Sequence, residues 1–117
     1  MGLTKVSNSE ELVQEANKEA LFTALVKQLN KDLHLANIPY TFENDRYVPE
    51  FLVEFGRMLY DLIQHKFDEY LNLLYIVDVP EHQIKNIKET DLERLVPQVA
   101  FLILKREWQK VWYKNRY

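Results

Sequence analysis

Residues 49–74 read PEFLVEFGRMLYDLIQHKFDEYLNLL, and the spacing of their apolar side chains decides the fold class. Leu52, Phe55, Leu59, Leu62, Ile63, Phe67, Tyr70 and Leu74 recur at three- and four-residue intervals, which puts them on one face of an α-helix. Arg57, Asp61, Gln64, Asp68 and Asn72 fall on the other. The pattern predicts one helix of about seven turns. Pro49 suits its first position, and Glu50 and Glu54 sit near the positive end of its dipole. Gly56 costs such a helix roughly 1 kcal/mol relative to alanine. Close approach of another helix would account for it.

The same periodicity extends outward in both directions. Upstream, Leu21, Leu25, Leu29 and Leu33, widened by Phe22 and Val26, predict a first long helix ending near Ala36. Ser7 and Glu10 fit a capping box at its start, and residues 1–8 are polar and loose. Lys18, Lys27, Lys31 and Asp32 are read as lying off the stripe. Asn37 suits the helix end, and Pro39 stops continuation. Between the two long helices, Tyr40, Phe42, Tyr47 and Val48 flank the turn-prone Glu43-Asn44-Asp45. Residues 38–48 thus permit a small β-hairpin, although an irregular connection with packed aromatics is favoured. Downstream, Asp78 with Glu81 reads as the cap of a short helix to about Lys88, with Ile84 and Ile87 inward. Thr90-Asp91-Leu92-Glu93 starts a last helix over about 91–113, which Pro97 should kink or restart.

The expectation is an all-α fold: a small helical bundle of three principal helices plus one short helix, in a single domain spanning 1–117. The 117 residues suit one domain with an adequate core. There is no cysteine, which excludes disulfide scaffolds, thiol nucleophiles and cysteine-held metals. The only glycines are Gly2 and Gly56, which excludes glycine-rich phosphate loops. The only serines, Ser7 and Ser9, offer no hydrolase nucleophile motif. The longest apolar run, Val99 to Leu104, is far short of the ~18 residues of a membrane span. No signal peptide is recognisable at the start, and a cytoplasmic location is expected. No cofactor is implied.

Charge is uneven. The net value is −3. Residues 1–48 carry −2, residues 49–104 carry −5, and residues 105–117 carry +4. The basic, aromatic C-terminal segment is therefore the first candidate for partner binding. Arg106, Lys110, Tyr113, Lys114 and Tyr117 follow one helical stripe; Leu104, Trp108, Val111 and Trp112 follow another. In one reading, Trp108, Trp112 and Tyr113 anchor a protein partner, ringed by Arg106, Lys110 and Lys114. In another, the cations meet nucleic-acid phosphates or an anionic membrane surface. In the third, Trp108 and Trp112 complete the core and the charges are solvated. The acidic total and a pI of 5.6 weigh against nucleic acid.

A candidate for metal or acid–base chemistry is His65, with Asp61 four residues before it and Glu69 four after. On one continuous helix all three would share a face. A solvated polar face is the simpler reading, because zinc sites commonly use three ligands and more than one histidine. His34 and His82 lie in other segments.

Two further stretches are Leu73-Leu74-Tyr75-Ile76-Val77-Asp78-Val79-Pro80-Glu81 and Leu104-Lys105-Arg106-Glu107-Trp108-Gln109-Lys110-Val111. Together they resemble a group of short all-helical bacterial proteins of uncharacterised function. In that group a Leu-Leu-Tyr-x-x-Asp-Val-x-Glu segment precedes a terminal helix bearing Arg-Glu-x-Gln-Lys-Val. The resemblance covers about the last 60 residues. It implies a helical fold and brings no activity, cofactor or catalytic residue. On the residues themselves, Asp78 reads as a cap and Tyr75 as a ring buried in the last turn with its hydroxyl on a partner. Arg106 and Lys110 read as cations near the negative end of the last helix.

The functional expectation is a non-enzymatic helical protein-interaction module, with self-association as one form of it, because 7 Tyr, 6 Phe and 2 Trp exceed what three helices readily bury. The alternatives are a nucleic-acid accessory protein using residues 105–117 and a metal-dependent enzyme around His65.

Overall fold

A computed structural model describes residues 6–43 and 45–116. Residues 1–5, Asn44 and Tyr117 lie outside the described residues, and with them part of the N-terminal stretch expected to be loose, the middle of the expected Glu43-Asn44-Asp45 turn and the last residue of the expected C-terminal stripe. The described residues contain helices and no strand: α1 (Ser9–Lys18), α2 (Phe22–Leu35), α3 (Pro49–His65), α4 (Phe67–Val77), α5 (Glu81–Lys85) and α6 (Leu92–Lys114). The all-α expectation holds. The arrangement of three principal helices plus one short helix does not, because both predicted long helices are divided.

The first division falls at Ala20, whose φ of 59° is left-handed. Ala20 N–H donates to Asn17 O at 3.1 Å and Leu21 N–H to Ala16 O at 2.8 Å. These two bonds define a Schellman ending, which closes a helix through one left-handed residue. The same pair of bonds ends α2 at Asn37 (φ 63°), with Asn37 N–H to His34 O and Ile38 N–H to Leu33 O. It ends α4 at Asp78 (φ 70°), with Asp78 N–H to Tyr75 O and Val79 N–H to Leu74 O. The residue after the left-handed one is apolar in each ending and packs on the core: Ile38 and Val79 are buried and Leu21 is partly buried. Apolar contact thus holds three endings that lack glycine. Alanine in this conformation costs about 1 kcal/mol or more. Ala20→Gly should therefore stabilise the fold by about 1 kcal/mol, raising Tm by about 4 °C in a thermal melt.

The second division falls at Lys66 (φ −140°, ψ 59°). The inward positions of α3 include Phe55, Leu59 and Leu62; those of α4 are Tyr70, Leu73, Leu74 and Val77. An unbroken helix would carry this stripe through Lys66 and bury an ammonium. The backbone departs there instead, and Lys66 is exposed. Phe67, assigned to the inward face by sequence, is turned outward.

The start of α1 is shifted by one residue from the expected capping box. Asn8 Oδ1 accepts from Glu11 N–H at 2.8 Å, and the Glu11 carboxylate accepts from Ser7 N–H and Oγ, both at 2.9 Å. Asp78 does not cap α5, since the residue before that helix is Pro80. Asp91 does cap α6, accepting from Glu93 N–H at 3.2 Å. Pro97 leaves α6 continuous. The backbone acceptor it leaves unpaired belongs to Glu93, which is exposed and can be hydrated.

No hairpin forms at 38–48 among the described residues. The Asn30 side chain takes the place of a strand partner, with Nδ2 donating to Phe42 O at 2.8 Å and Oδ1 accepting from Phe42 N–H at 2.9 Å. This clamp presents Phe42 to Phe51 (ring centroids 5.2 Å apart) and Phe55 (6.0 Å). Phe22 meets Phe51 and Tyr47 edge-on. The favoured irregular connection with packed aromatics is what the chain adopts.

Helix α6 is the central element, packed by α1, α2, α3 and α4. Its buried residues are Val96, Val99, Ala100, Ile103, Leu104, Glu107, Trp108 and Val111. Gly56 faces this helix, but a Cβ there would sit 3.9 Å from Val96 Cγ1, an ordinary contact. The expected close approach is therefore not tight enough to demand glycine.

Candidate functional site

The six C-terminal candidates are dispersed by the fold. Trp108 is fully buried and belongs to the core, so it cannot serve as an exposed anchor. Trp112 is half-buried, with its ring edge-on to Tyr113 (5.4 Å) and the Arg116 guanidinium 4.3 Å from its centroid. Tyr113 and Lys114 are exposed. Arg106 reaches back to the α4–α5 corner, donating from Nε to Asp78 O at 3.1 Å and from Nη2 to Asp78 Oδ2 at 3.3 Å. Its partner is thus a carboxylate and carbonyl across the fold, rather than its own helix dipole. Arg116 pairs with Glu19 at 3.1 Å, and Lys110 points inward to Asp32. Three of the five cations in residues 105–117 are thereby engaged within the chain, and the basic surface is thinner than its charge suggests. Lys114 still lines a groove with Lys27, Lys31 and Gln28, where α2 meets α6.

The Asp61, His65, Glu69 candidate loses its helical geometry. His65 is the last residue of α3, Glu69 is on α4, and the break at Lys66 separates them. Among the described residues no group of three His, Asp or Glu side chains is placed to hold a metal. Asp61 and Glu69 instead line a small groove with Lys66 and Tyr40. His34 Nε2 lies 2.9 Å from Thr41 Oγ1, and His82 is exposed.

Two features went unnoticed in the sequence. The first is a buried charge cluster at the α2–α6 seam. Asp32 and Glu107 are both buried. Lys110 Nζ lies 2.8 Å from Asp32 Oδ2 and 3.0 Å from Glu107 Oε1. Gln28 Nε2 adds 3.3 Å contacts to both Asp32 oxygens. Burial, the adjoining Asp32 carboxylate and its hydrogen bond push the Glu107 carboxyl up to about 9, against the smaller opposing pull of Lys110. Glu107 is therefore a neutral acid at pH 7. Neither of its oxygens has an aligned donor among the described residues, despite the short contact to Nζ. That suits a protonated carboxyl, which donates toward Asp32 instead of accepting. Asp32 was placed off the α2 stripe, yet it follows Leu29 by three residues and faces inward. Glu107 lies between Leu104 and Val111 on the α6 stripe. Position on an apolar stripe was the signal available for both.

The second is an apolar face on α4. Phe67, Leu71 and Tyr75 are 51%, 46% and 83% exposed, and their spacing of four residues aligns them along one side of the helix. Tyr75 was read as a buried ring; it is the most exposed large apolar side chain among the described residues. Leu71 and Tyr75 continue into a groove of about 490 Å³ whose other wall is Val79, Pro80 and Ile84. Arg106 holds that corner through Asp78, so the groove is braced against α6. A ridge of three large side chains beside a braced groove can bind an apolar surface; the charged side chains at the groove's rim are Asp78, held by Arg106, and the exposed pair Glu81–Lys85 at 2.9 Å. No family model, curated protein or solved structure matches the chain. No helix among the described residues is long and apolar enough to cross a membrane.

Proposed function

We propose that the protein is a non-enzymatic helical interaction module that docks a protein partner on the exposed face of α4. The observation that carries this reading is the line of Phe67, Leu71 and Tyr75, with its adjoining groove. Isolated apolar side chains on a surface need no explanation, but three in helical register beside an apolar groove form a continuous patch. Aromatic residues are the usual anchors of such contacts. The reading keeps the function expected from sequence and moves the site from α6 to α4, because α6 spends Trp108 and most of its apolar side chains on the core.

The test is photocrosslinking in cells of the source organism. Benzoylphenylalanine in place of Tyr75 should give a protein adduct on irradiation, and adding Leu71→Asp should reduce its yield at least tenfold. Absence of any adduct, or a yield indifferent to Leu71→Asp, would overturn the assignment. Circular dichroism should be unchanged, since Leu71 is exposed.

A further inference from the structure

The groove between α2 and α6 is charged where the one beside α4 is apolar. Lys27, Gln28 and Lys31 line it from α2, and Lys114 and Asn115 from the end of α6. Among the described residues no carboxylate lines it, in a chain whose net charge is −3. We propose that this groove binds a hydroxyl-bearing organic phosphate such as a sugar phosphate, with the phosphate on the three ammonium groups and the hydroxyls on the Gln28 and Asn115 amide oxygens. The site is separate from the α4 face, and neither reading depends on the other.

The first argument is uncompensated charge. Lys27 and Lys31 are four residues apart on α2, which makes them neighbours on the helix surface, and like charges at that spacing destabilise a helix. No Asp or Glu lies three or four residues from either. Neither they nor Lys114 form an ion pair among the described residues, whereas Arg106, Lys110 and Arg116 each meet a carboxylate. Gln28 connects the groove to the buried cluster through Asp32, and that cluster does not offset the lysines. Lys110 balances Asp32, and Glu107 is neutral. A bound anion would relieve the repulsion and accept charge-assisted hydrogen bonds from all three lysines.

The second argument is the state of the two amides. Gln28 Nε2 contacts both Asp32 oxygens at 3.3 Å, and Asn115 Nδ2 donates to Val111 O at 2.8 Å. Both amides thus use their donors within the chain. Each keeps a carbonyl oxygen without a donor among the described residues, and a ligand hydroxyl supplies one. The third argument is size. The groove encloses about 360 Å³, at the small end of the range for small-molecule sites, and Ala24 and Val111 offer apolar wall to a carbon skeleton. An extended polyanion would need cations continuing past the groove, and the next ones, Lys110 and Arg116, are held by Asp32 and Glu19. The three lysines are exposed, so the expected affinity is modest, with a Kd of about 1 mM.

Thermal melts of the full chain at fixed ionic strength provide the test. Glucose 1-phosphate at about 10 mM should raise Tm by about 5 °C. Glucose should leave Tm unchanged, and inorganic phosphate should give less than half the shift. Lys31→Gln combined with Lys114→Gln should abolish the shift without lowering the ligand-free Tm, since both side chains are exposed. Backbone amide NMR provides a readout independent of the variants: glucose 1-phosphate should move resonances of residues 24–31 and 111–115 and leave those of α4 in place. Absence of a Tm shift in the parent, a shift retained in the double variant, or NMR changes centred elsewhere overturns the proposal. An equal shift with inorganic phosphate overturns the hydroxyl contacts and with them the ligand class. Tighter binding of a single-stranded oligonucleotide than of glucose 1-phosphate overturns it in favour of a nucleic-acid backbone.

Discussion

Lys110→Ala should lower the stability of the fold by about 3 kcal/mol at neutral pH, shifting the urea midpoint with little change in slope. Lys110 is the cation held against two buried acidic side chains, 2.8 Å from Asp32 and 3.0 Å from Glu107. Alanine leaves the Asp32 carboxylate buried with Gln28 and the neutral Glu107 as its remaining partners. Gln28 contributes only two long contacts of 3.3 Å. Removing one partner of a buried pair costs much more than the pair itself contributes, because the stranded charge keeps its desolvation penalty. The Lys110 side chain is 21% exposed, which puts the loss at the lower end of the range for buried pairs. Adding Asp32→Asn should recover most of the loss, since a neutral amide needs no counter-ion. A double variant as unstable as Lys110→Ala would locate the loss in lysine stem packing instead of charge. Lys110, a surface cation for a partner in the sequence reading, is thus expected to act as an internal strut between α2 and α6.

The misreading of Lys110 shows where sequence periodicity stops being informative. Apolar spacing located the helical segments and most inward residues, because burial of large side chains dominates and leaves a 3.6-residue imprint. Pro49 and Asn37 also behave as their local chemistry dictates. What the imprint does not carry is the cost of a residue that conflicts with it. Lys66 interrupts an inward stripe, and the chain resolves the conflict by ending one helix and starting another. That break exposes Phe67 and creates the α4 face. Asp32 and Glu107 interrupt inward stripes as well, but there the chain stays helical, and proton and lysine neutralise the charge. The same local signal, a charged residue at a buried position, therefore had two outcomes, decided by whether a partner 78 residues away in sequence could reach it. The division at Ala20 was invisible for another reason. A left-handed helix end is usually marked by glycine or asparagine, and here an alanine occupies it, followed by Leu21 packed on the core. The α4 face was hidden because a partner surface made of Phe, Leu and Tyr has the composition of a core.

Stability should fall as pH rises from about 5 toward 9, and Glu107→Gln should abolish most of that fall. Below its ordinary value of 4.5, the Glu107 carboxyl is protonated in both the folded and the unfolded chain. Between 4.5 and about 9 the unfolded chain has released the proton and the folded chain keeps it. Unfolding then releases a proton, so each pH unit in this window costs the folded state roughly 1.4 kcal/mol. Above about 9 both states are ionised and the slope from this group ends. From pH 5 to 7 the expected loss is roughly 3 kcal/mol, a large share of the 5–15 kcal/mol typical of a domain. Glutamine has nearly the shape of the protonated acid, donates toward Asp32 through its amide, and does not titrate. The variant should match the parent near pH 4.5 and exceed it by roughly 3 kcal/mol at pH 7. Urea melts of both proteins between pH 4.5 and 9 provide the check, read as their difference so that other titrating groups cancel. Parallel profiles would mean that Glu107 is ionised in the folded protein, with Lys110 shared equally between two carboxylates. A difference that widens steadily with pH would instead place a retained proton at the α2–α6 seam, which leaves the single lysine facing one buried negative charge rather than two.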